Sequence, residues 1–223
     1  MCGRYTITVT LEELMAYYML ADNGMPFIEP RYNVAPMQKV TAIINDGENN
    51  KLGELRWGLV PVWSKDDKSG FKMINARSET VAEKPAFRGL LTRKRCLIPA
   101  DGFYEWKATG GKKQPYRIVL KDRNLFSFAG LYDTWTGPEG NKISTCTIIT
   151  TTPNELMADI HDRMPVILPR EDESVWLDRT NQDKDLLLNL LKPYDADKMH
   201  AYKVGGSVGN VRNHGPELIE EVV

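Results

Sequence analysis

The middle of the chain alternates short, strand-like apolar segments with glycine-rich polar turns, a pattern typical of β-hairpins. The turns are "DGENN", "ATGGKKQ" and "TGPEGN". They join residues 39–46 to 51–63, residues 95–107 to 115–122, and residues 125–135 to 142–152. The pattern therefore predicts three hairpins.

Helical patterns lie outside these hairpins. Thr10 can cap a helix in "TLEELMAYYML", and Glu13, three residues later, completes a capping box. Residues 154–163 and 173–193 are also predicted to be helical, the latter with an amphipathic face. Closely spaced strands with helices at the margins indicate an α+β fold: a single compact domain, residues 1–223, around a curved, barrel-like antiparallel β-sheet with peripheral helices.

The composition indicates the cellular compartment in which the protein is expected. The chain has 223 residues, 42% of them hydrophobic, which is enough for one substantial core. No apolar stretch is long enough to span a bilayer, and the N-terminus has neither the basic start nor the apolar run of a signal peptide. We expect a cytoplasmic protein.

The three cysteines, Cys2, Cys96 and Cys146, are an odd number without CxxC spacing. We therefore expect no disulfides, and neither they nor the three histidines have the spacing of metal ligands. No metal or organic cofactor is expected. Cys96 and Cys146 lie in apolar, strand-like segments, which favours small buried hydrophobic side chains.

The charge is nearly balanced, at −1 overall, which argues against a protein that coats nucleic acid by electrostatics alone. The distribution is uneven, because residues 56–95 contain ten basic residues against four acidic ones. This basic window predicts either a nucleic-acid-binding face or an ordinary solvated surface.

Cys2 has a special position because it follows the initiator methionine directly. Removal of Met1 would give Cys2 a free α-amine beside its thiol. Such a 1,2-aminothiol condenses with an aldehyde to an imine, and the neighbouring sulfur then closes a thiazolidine ring. The alternative is an N-terminal strand with an incidental cysteine.

A second polar group lies in "INARSET", where Asn75, Arg77 and Glu79 occupy alternate positions. In an extended segment these three side chains share one face, so they could line a site together. The same alternation also describes the solvated face of an ordinary sheet.

Three further residues are candidates for chemistry. Glu105 lies between aromatic residues, where desolvation would raise its pKa towards a range useful for proton transfer, although a water-facing strand glutamate is the simpler interpretation. His161 lies at a helix end or turn and either exchanges protons or braces the loop. Arg4 places a cation near the Cys2 thiol, where it could favour the thiolate or bind a phosphate.

Seven segments together carry a family resemblance. They are "MCGRY" (1–5), "RYNVAP" (31–36), "WGLVPVW" (57–63), "INARSET" (74–80), "RCLIPADGFYEWK" (95–107), "IHDRMP" (160–165) and "VGNVRNHGPELI" (208–219). On these segments, the chain resembles the SOS-response-associated peptidase (SRAP) family almost from end to end. The resemblance implies a sensor that crosslinks covalently, through Cys2, to abasic sites in single-stranded DNA.

The resemblance also implies roles for individual residues. Asn75 would hydrogen-bond at the lesion or at Cys2, Glu105 would handle protons during imine and ring formation, and His161 would assist sugar ring opening. Arg4 and Arg77 would hold the DNA backbone. Trp63 would stack against bases.

Partners and alternatives follow from the same residues. The expected partner is single-stranded DNA containing abasic sites, bound by a monomer without an obligate protein partner or membrane and associated with the nucleoid when on DNA. One alternative is a cysteine peptidase that removes its own Met1, with Cys2, Glu105 and His161 as an amidase-like set. The other is a non-covalent binder of single-stranded DNA or modified bases that uses Trp63 and the basic window.

Overall fold

The computed structural model describes residues 2–20, 28–122 and 124–223. The strands are β1 (Tyr5–Ile7), β2 (Arg31–Val34), β3 (Lys39–Asn45), β4 (Asn50–Trp57), β5 (Asn75–Arg77), β6 (Arg95–Ala100), β7 (Gly102–Thr109), β8 (Lys112–Leu120), β9 (Phe126–Thr136), β10 (Lys142–Thr151), β11 (Met164–Pro165), β12 (Ile167–Leu168) and β13 (Met199–Lys203). The helices are α1 (Leu11–Tyr18), α2 (Glu155–Ala158), α3 (Glu173–Leu177) and α4 (Lys184–Asn189). None of these helices is long and apolar enough to cross a bilayer.

Five strands close into a barrel. β10 pairs with β4, β4 with β3, β3 with β6, and β6 with β9, and β9 pairs back with β10. The short strands β5, β11 and β12 add to this sheet. The predicted α+β fold around a barrel-like sheet is confirmed.

The pairing of β10 differs from the predicted antiparallel arrangement. β10 runs parallel to β4 and to β5, whereas the other pairings of the barrel strands are antiparallel. A parallel pair needs a long connection between its strands. The local hydrophobic pattern carries no signal for such a pairing, because the two strands lie far apart in the sequence.

A second, five-stranded sheet has the order β13-β8-β7-β1-β2, and all its pairings are antiparallel. Both sheets contribute to one hydrophobic core. Tyr5 of the second sheet contacts Trp57 and Phe128 of the barrel, with ring centroids 5.5 and 5.7 Å apart. These large buried rings join the two sheets.

All three predicted hairpins are present, as β3–β4, β7–β8 and β9–β10. However, residues 95–107 do not form one strand: β6 belongs to the barrel and β7 to the second sheet. The chain changes sheets at Asp101, whose carboxylate accepts hydrogen bonds from the Thr6 and Thr8 hydroxyls and from the Thr8 amide (2.6 Å). These bonds fix the corner beside β1.

The predicted first helix is confirmed as α1, with the capping box between Thr10 and Glu13. The other two helical predictions were too long. Residues 154–163 are α-helical only over α2, and residues 173–193 are divided into α3 and α4. His161 therefore lies in the loop that follows α2.

Polar contacts explain the break between α3 and α4. The buried Arg95 guanidinium donates to the carbonyl oxygens of Trp176 (2.5 Å), Asp178 and Asn181 (3.1 Å), which gives the end of α3 partners outside the helix. The Asp183 carboxylate caps the start of α4. A tertiary arginine contact of this kind is invisible to helical periodicity.

Candidate active-site cleft

Cys2 lies just before β1, and its side chain has no solvent exposure. Burial raises the pKa of the thiol far above its ordinary value, and the Glu105 carboxylate raises it further. The thiol is therefore neutral at physiological pH. A hydrogen bond with the Arg4 backbone lowers the pKa of the thiol, but desolvation and the neighbouring carboxylate outweigh it.

Glu105 is positioned by β7 and is only 2% exposed. Burial raises its pKa to about 7. The simpler interpretation of Glu105 as a water-facing strand residue is therefore wrong. A carboxyl with this pKa is present in both protonation states near neutral pH, so it can accept and return a proton.

A cleft of about 350 Å³ opens beside this carboxyl and is lined by Glu105, Trp106, Lys113, His161 and Gly209. Four parts of the fold build it: β7, the start of β8, the loop after α2 and the segment after β13. Glu105 and His161, which are 56 positions apart in the sequence, therefore share one cavity.

His161 is held by its own loop. Its Nδ1 accepts a hydrogen bond from the Arg163 backbone amide (3.0 Å) and contacts the Asp162 carboxylate (3.0 Å). Burial lowers the pKa of the imidazole. The ring is therefore largely neutral at pH 7, the form in which it can accept a proton.

Residues 1–211 match the family described as "SOS response associated peptidase (SRAP)". The chain belongs to this family. The predicted resemblance is confirmed over nearly the whole length of the protein.

Several relatives are similar in sequence to this SRAP chain. The chain is 58% identical to "Abasic site processing protein YoqW" of Bacillus subtilis (strain 168), over 99% of both chains. It is 35% identical to "Abasic site processing protein HMCES" of Gallus gallus, over 85% of this chain and 66% of that protein. Among solved structures, a protein from Bacteroides thetaiotaomicron superposes with a TM-score of 0.90 at 29% identity, with full coverage of both chains.

Asn75 of the SRAP motif "INARSET" lies on β5, which pairs with β10. Its side-chain amide donates weakly to the Ile148 carbonyl (3.4 Å). Its Oδ1 atom is buried and accepts no hydrogen bond from the part of the chain that the structure describes. A buried acceptor without a donor is costly, which indicates a position suited to an incoming N–H or O–H group.

Arg4 holds one wall of the SRAP cleft. Its guanidinium donates to the carbonyl oxygens of Val208 (2.7 Å) and Gly209 (3.2 Å) and lies 5.9 Å from the Trp106 ring centre. It also donates to Asn33 Oδ1 (2.8 Å). Arg4 therefore positions two cleft-lining residues, and its contact with DNA backbone stays a prediction.

Asn33 is a residue that positions the wall of the cleft and that sequence reasoning missed. It is 5% exposed, and its side-chain amide donates to the carbonyls of Val208 (3.3 Å), Asn210 (3.1 Å) and Asn213 (2.8 Å). One buried side chain thus holds both Arg4 and the 208–213 segment. The only sequence signal was its place in the family segment "RYNVAP".

Glu79 serves as an anchor for the His161 loop. Its carboxylate accepts two hydrogen bonds from the Arg163 guanidinium, at 2.6 and 3.0 Å, and Arg163 also donates to the Thr150 carbonyl (2.8 Å). The Arg163 hydrogen bond lowers the pKa of Glu79. Alternation within "INARSET" predicted a shared face for Asn75 and Glu79, but the chain turns into a 3₁₀-helix directly after Arg77.

Trp63 and Arg77 are accessible but are not among the residues that line the cleft. Trp63 follows β4 and is 61% exposed. Arg77 ends β5 with an exposed side chain, and its charge helps to lower the pKa of Glu79. Their predicted contacts with DNA stay predictions.

Part of the basic window, residues 56–95, forms contacts within the protein, and its role in binding nucleic acid stays a prediction. Arg56 pairs with Asp67 at 2.7 Å and Lys94 with Asp133 at 2.6 Å, while Arg95 is buried against backbone carbonyls. Arg93 also donates to the Gly89 carbonyl (3.0 Å), so at least four of its ten cations have partners within the protein.

Proposed function

We propose that this SRAP protein captures abasic sites in single-stranded DNA as covalent adducts on Cys2. The observation that carries the proposal is a buried cysteine thiol beside Glu105, a carboxyl with a pKa of about 7, at a cleft that also contains His161. The names of the relatives, which are abasic site processing proteins, support the substrate.

The reaction begins with the α-amine that Cys2 gains when Met1 is removed. An abasic deoxyribose in its ring-opened form has an aldehyde at C1′. The amine nitrogen bonds to this carbon, and loss of one water gives an imine. The Cys2 sulfur then bonds to the same carbon, the thiol proton ends on the nitrogen, and a thiazolidine ring forms.

Each of these steps moves a proton, and Glu105 and His161 are the groups that do so. Glu105 takes a proton from the attacking amine and returns it to the hydroxyl that leaves as water, which requires a pKa near neutrality. His161, largely neutral and on the same cleft, accepts the hydroxyl proton when the sugar ring opens. Asn75 Oδ1, which needs a donor, accepts a hydrogen bond from the Cys2 amine.

The protonation state of Cys2 favours capture over peptide hydrolysis. A cysteine peptidase needs a thiolate at neutral pH, which nearby positive charge provides. Here both burial and Glu105 disfavour the thiolate. Aldehyde capture starts instead with the amine, and the sulfur adds only after the imine carbon has become electrophilic.

Single-stranded DNA suits this site because the Cys2 side chain is buried. Pairing and stacking in duplex DNA oppose the extrusion of the sugar into a cleft. The exposed Trp63 offers a stacking surface for neighbouring bases, and the exposed Arg77 offers a cation for the backbone.

The test is the yield of heat-resistant adduct with a single-stranded oligonucleotide that contains one abasic site. We expect the wild type to form the adduct and Cys2→Ala to form none. Cys146→Ala is the matched control, because Cys146 is another fully buried cysteine. Equal adduct in Cys2→Ala would contradict the proposal; binding without any adduct in the wild type would favour a non-covalent binder, and released peptide fragments would favour a peptidase.

A further inference from the structure

Lys113 is the charged cleft-lining residue to which the proposed reaction gives no role. It is the second residue of β8, which joins β7 through Gly110 and Gly111. Both glycines have positive φ angles, +55° and +83°, as in the tight turns that match the twist of a hairpin. This turn sets the register that places Lys113 opposite Ala108.

The register also separates Lys113 from its neighbour Lys112. Successive residues of a strand point to opposite faces of the sheet. Directly opposite residues of an antiparallel pair share a face, so Lys113 lies on the face of Ala108 and Trp106, whereas Lys112, opposite Thr109, lies on the other face. Both lysines are exposed, and of the two it is Lys113 that lines the cleft. Besides burial, the charge of Lys113 is among the causes that lower the pKa of His161, so Lys113 reaches the cleft from the Trp106 side of the sheet.

Lys113 differs in charge from the other titratable residues at the cleft. Burial holds Glu105 partly protonated near neutral pH and keeps His161 largely neutral. Asp162 carries a carboxylate nearby, but it contacts His161 Nδ1, is 88% exposed and is not among the lining residues. Among the five described residues that line the cleft, Lys113 is therefore the cation, and the Arg4 guanidinium lies behind the wall that Trp106 and Gly209 form.

We infer that Lys113 binds the phosphate next to the abasic sugar and so fixes that sugar against Glu105 and His161. The inference rests on the proposed function, because it takes the occupant of the cleft to be an abasic nucleotide. A lysine ammonium is a compact point charge with three donors, which suits a single phosphate group. A base-free sugar is flanked by phosphates on both sides, so a cation on the wall of the cleft meets one of them.

The experiment measures binding separately from capture. The probe is a single-stranded oligonucleotide with a tetrahydrofuran abasic analogue, which has no aldehyde, and with either the 5′ or the 3′ neighbouring linkage replaced by a neutral methylphosphonate. We expect Lys113→Ala to weaken binding of the unmodified probe roughly tenfold and to reduce the salt slope by about 0.7. One of the two methylphosphonates should weaken the wild type similarly and add little to the effect in Lys113→Ala.

Two variants serve as controls. Lys112→Ala should bind almost as the wild type does and should keep the full methylphosphonate effect, and Lys113→Arg should retain most of the affinity. Normal binding by Lys113→Ala, or an unchanged methylphosphonate effect in that variant, would overturn the inference.

Failure of the inference and failure of the proposed function give different results. If the wild type forms the Cys2 adduct with aldehyde-bearing DNA but Lys113 shows no coupling to either phosphate, only the inference fails. If coupling is found but no adduct forms, the capture reaction fails and the phosphate contact stands. A wild type that binds no abasic probe contradicts both.

Discussion

Replacing Glu105 with glutamine should slow capture and, at the same time, stabilise the protein in alkaline solution. Burial raises the pKa of this carboxyl from 4.5 to about 7. Below pH 4.5 it is protonated in both the folded and the unfolded protein. Between these two values the unfolded chain releases the proton while the folded protein keeps it, so the wild type loses stability as the pH rises.

The size of this loss follows from the shift. Each pKa unit corresponds to about 1.4 kcal/mol, so the ionised carboxylate costs the folded protein roughly 3 kcal/mol above pH 7. Glutamine has nearly the same shape and carries no charge. As the pH rises from 4.5 to 8, the unfolding free energy of Glu105→Gln should therefore increase by about 3 kcal/mol relative to that of the wild type. This difference corresponds to several degrees in Tm.

Two assays on the same samples test this reasoning. Denaturant unfolding at pH 5 and pH 8 gives the difference in stability between variant and wild type at each pH. Adduct formation at saturating protein gives the rate, which should fall about 100-fold or more because glutamine exchanges no proton. A stability difference that does not change with pH would refute the buried, proton-holding carboxyl, and a normal rate of adduct formation would remove Glu105 from the reaction.

Three further substitutions test the surroundings of the cleft. Asn33→Ala removes the side-chain donor to the partly buried Asn210 and Asn213 carbonyls and the acceptor of Arg4, and should cost about 1–3 kcal/mol in unfolding free energy, with a lower rate of capture. An unchanged unfolding free energy would contradict its role in holding the 208–213 segment. Arg163→Ala should slow capture much more than it destabilises the fold. Its partner Glu79 is half-exposed, so the ion pair contributes about 1 kcal/mol or less to stability. If the rate of capture fell only in proportion to the loss of stability, Arg163 would have a structural role alone. Arg77→Ala should weaken binding to intact single-stranded DNA, and the loss of affinity should be smaller at high salt. The rate of adduct formation at saturating protein should stay near normal. Arg93→Ala removes another cation of the basic window and is the control.

The strands of this fold could be predicted from sequence because each hairpin is local. Alternating side chains and a glycine-containing turn suffice to specify β3–β4, β7–β8 and β9–β10. Barrel closure depends on the parallel contact of β10 with β4, which joins Thr145 to Arg56 across a long stretch of chain. The change of sheet at Asp101 likewise depends on hydroxyl groups from β1 and the residue that follows it, Thr6 and Thr8.

The candidate site likewise contains residues that could be predicted from the sequence and residues that could not. Residue chemistry and the family segments located Cys2, Glu105 and His161, because an aminothiol, a carboxyl among aromatics and a rare histidine are visible in the sequence. The hydrogen bonds from Asn33 to the 208–213 segment were missed, because the carbonyl partners lie 175 to 180 positions away in the sequence. The direction of the Cys2 pKa shift also required the structure, since only the fold shows how completely the thiol is buried.

The most direct test of the account is the intact mass of the protein after incubation with abasic single-stranded DNA, compared with a form whose N-terminal amine is blocked by a retained Met1. The account predicts an adduct equal to the protein without Met1 plus the oligonucleotide minus one water. It predicts no such adduct for the blocked form, although the thiol of Cys2 is present in both. Normal adduct formation by the blocked protein would contradict the aminothiol reaction on which the proposed function depends.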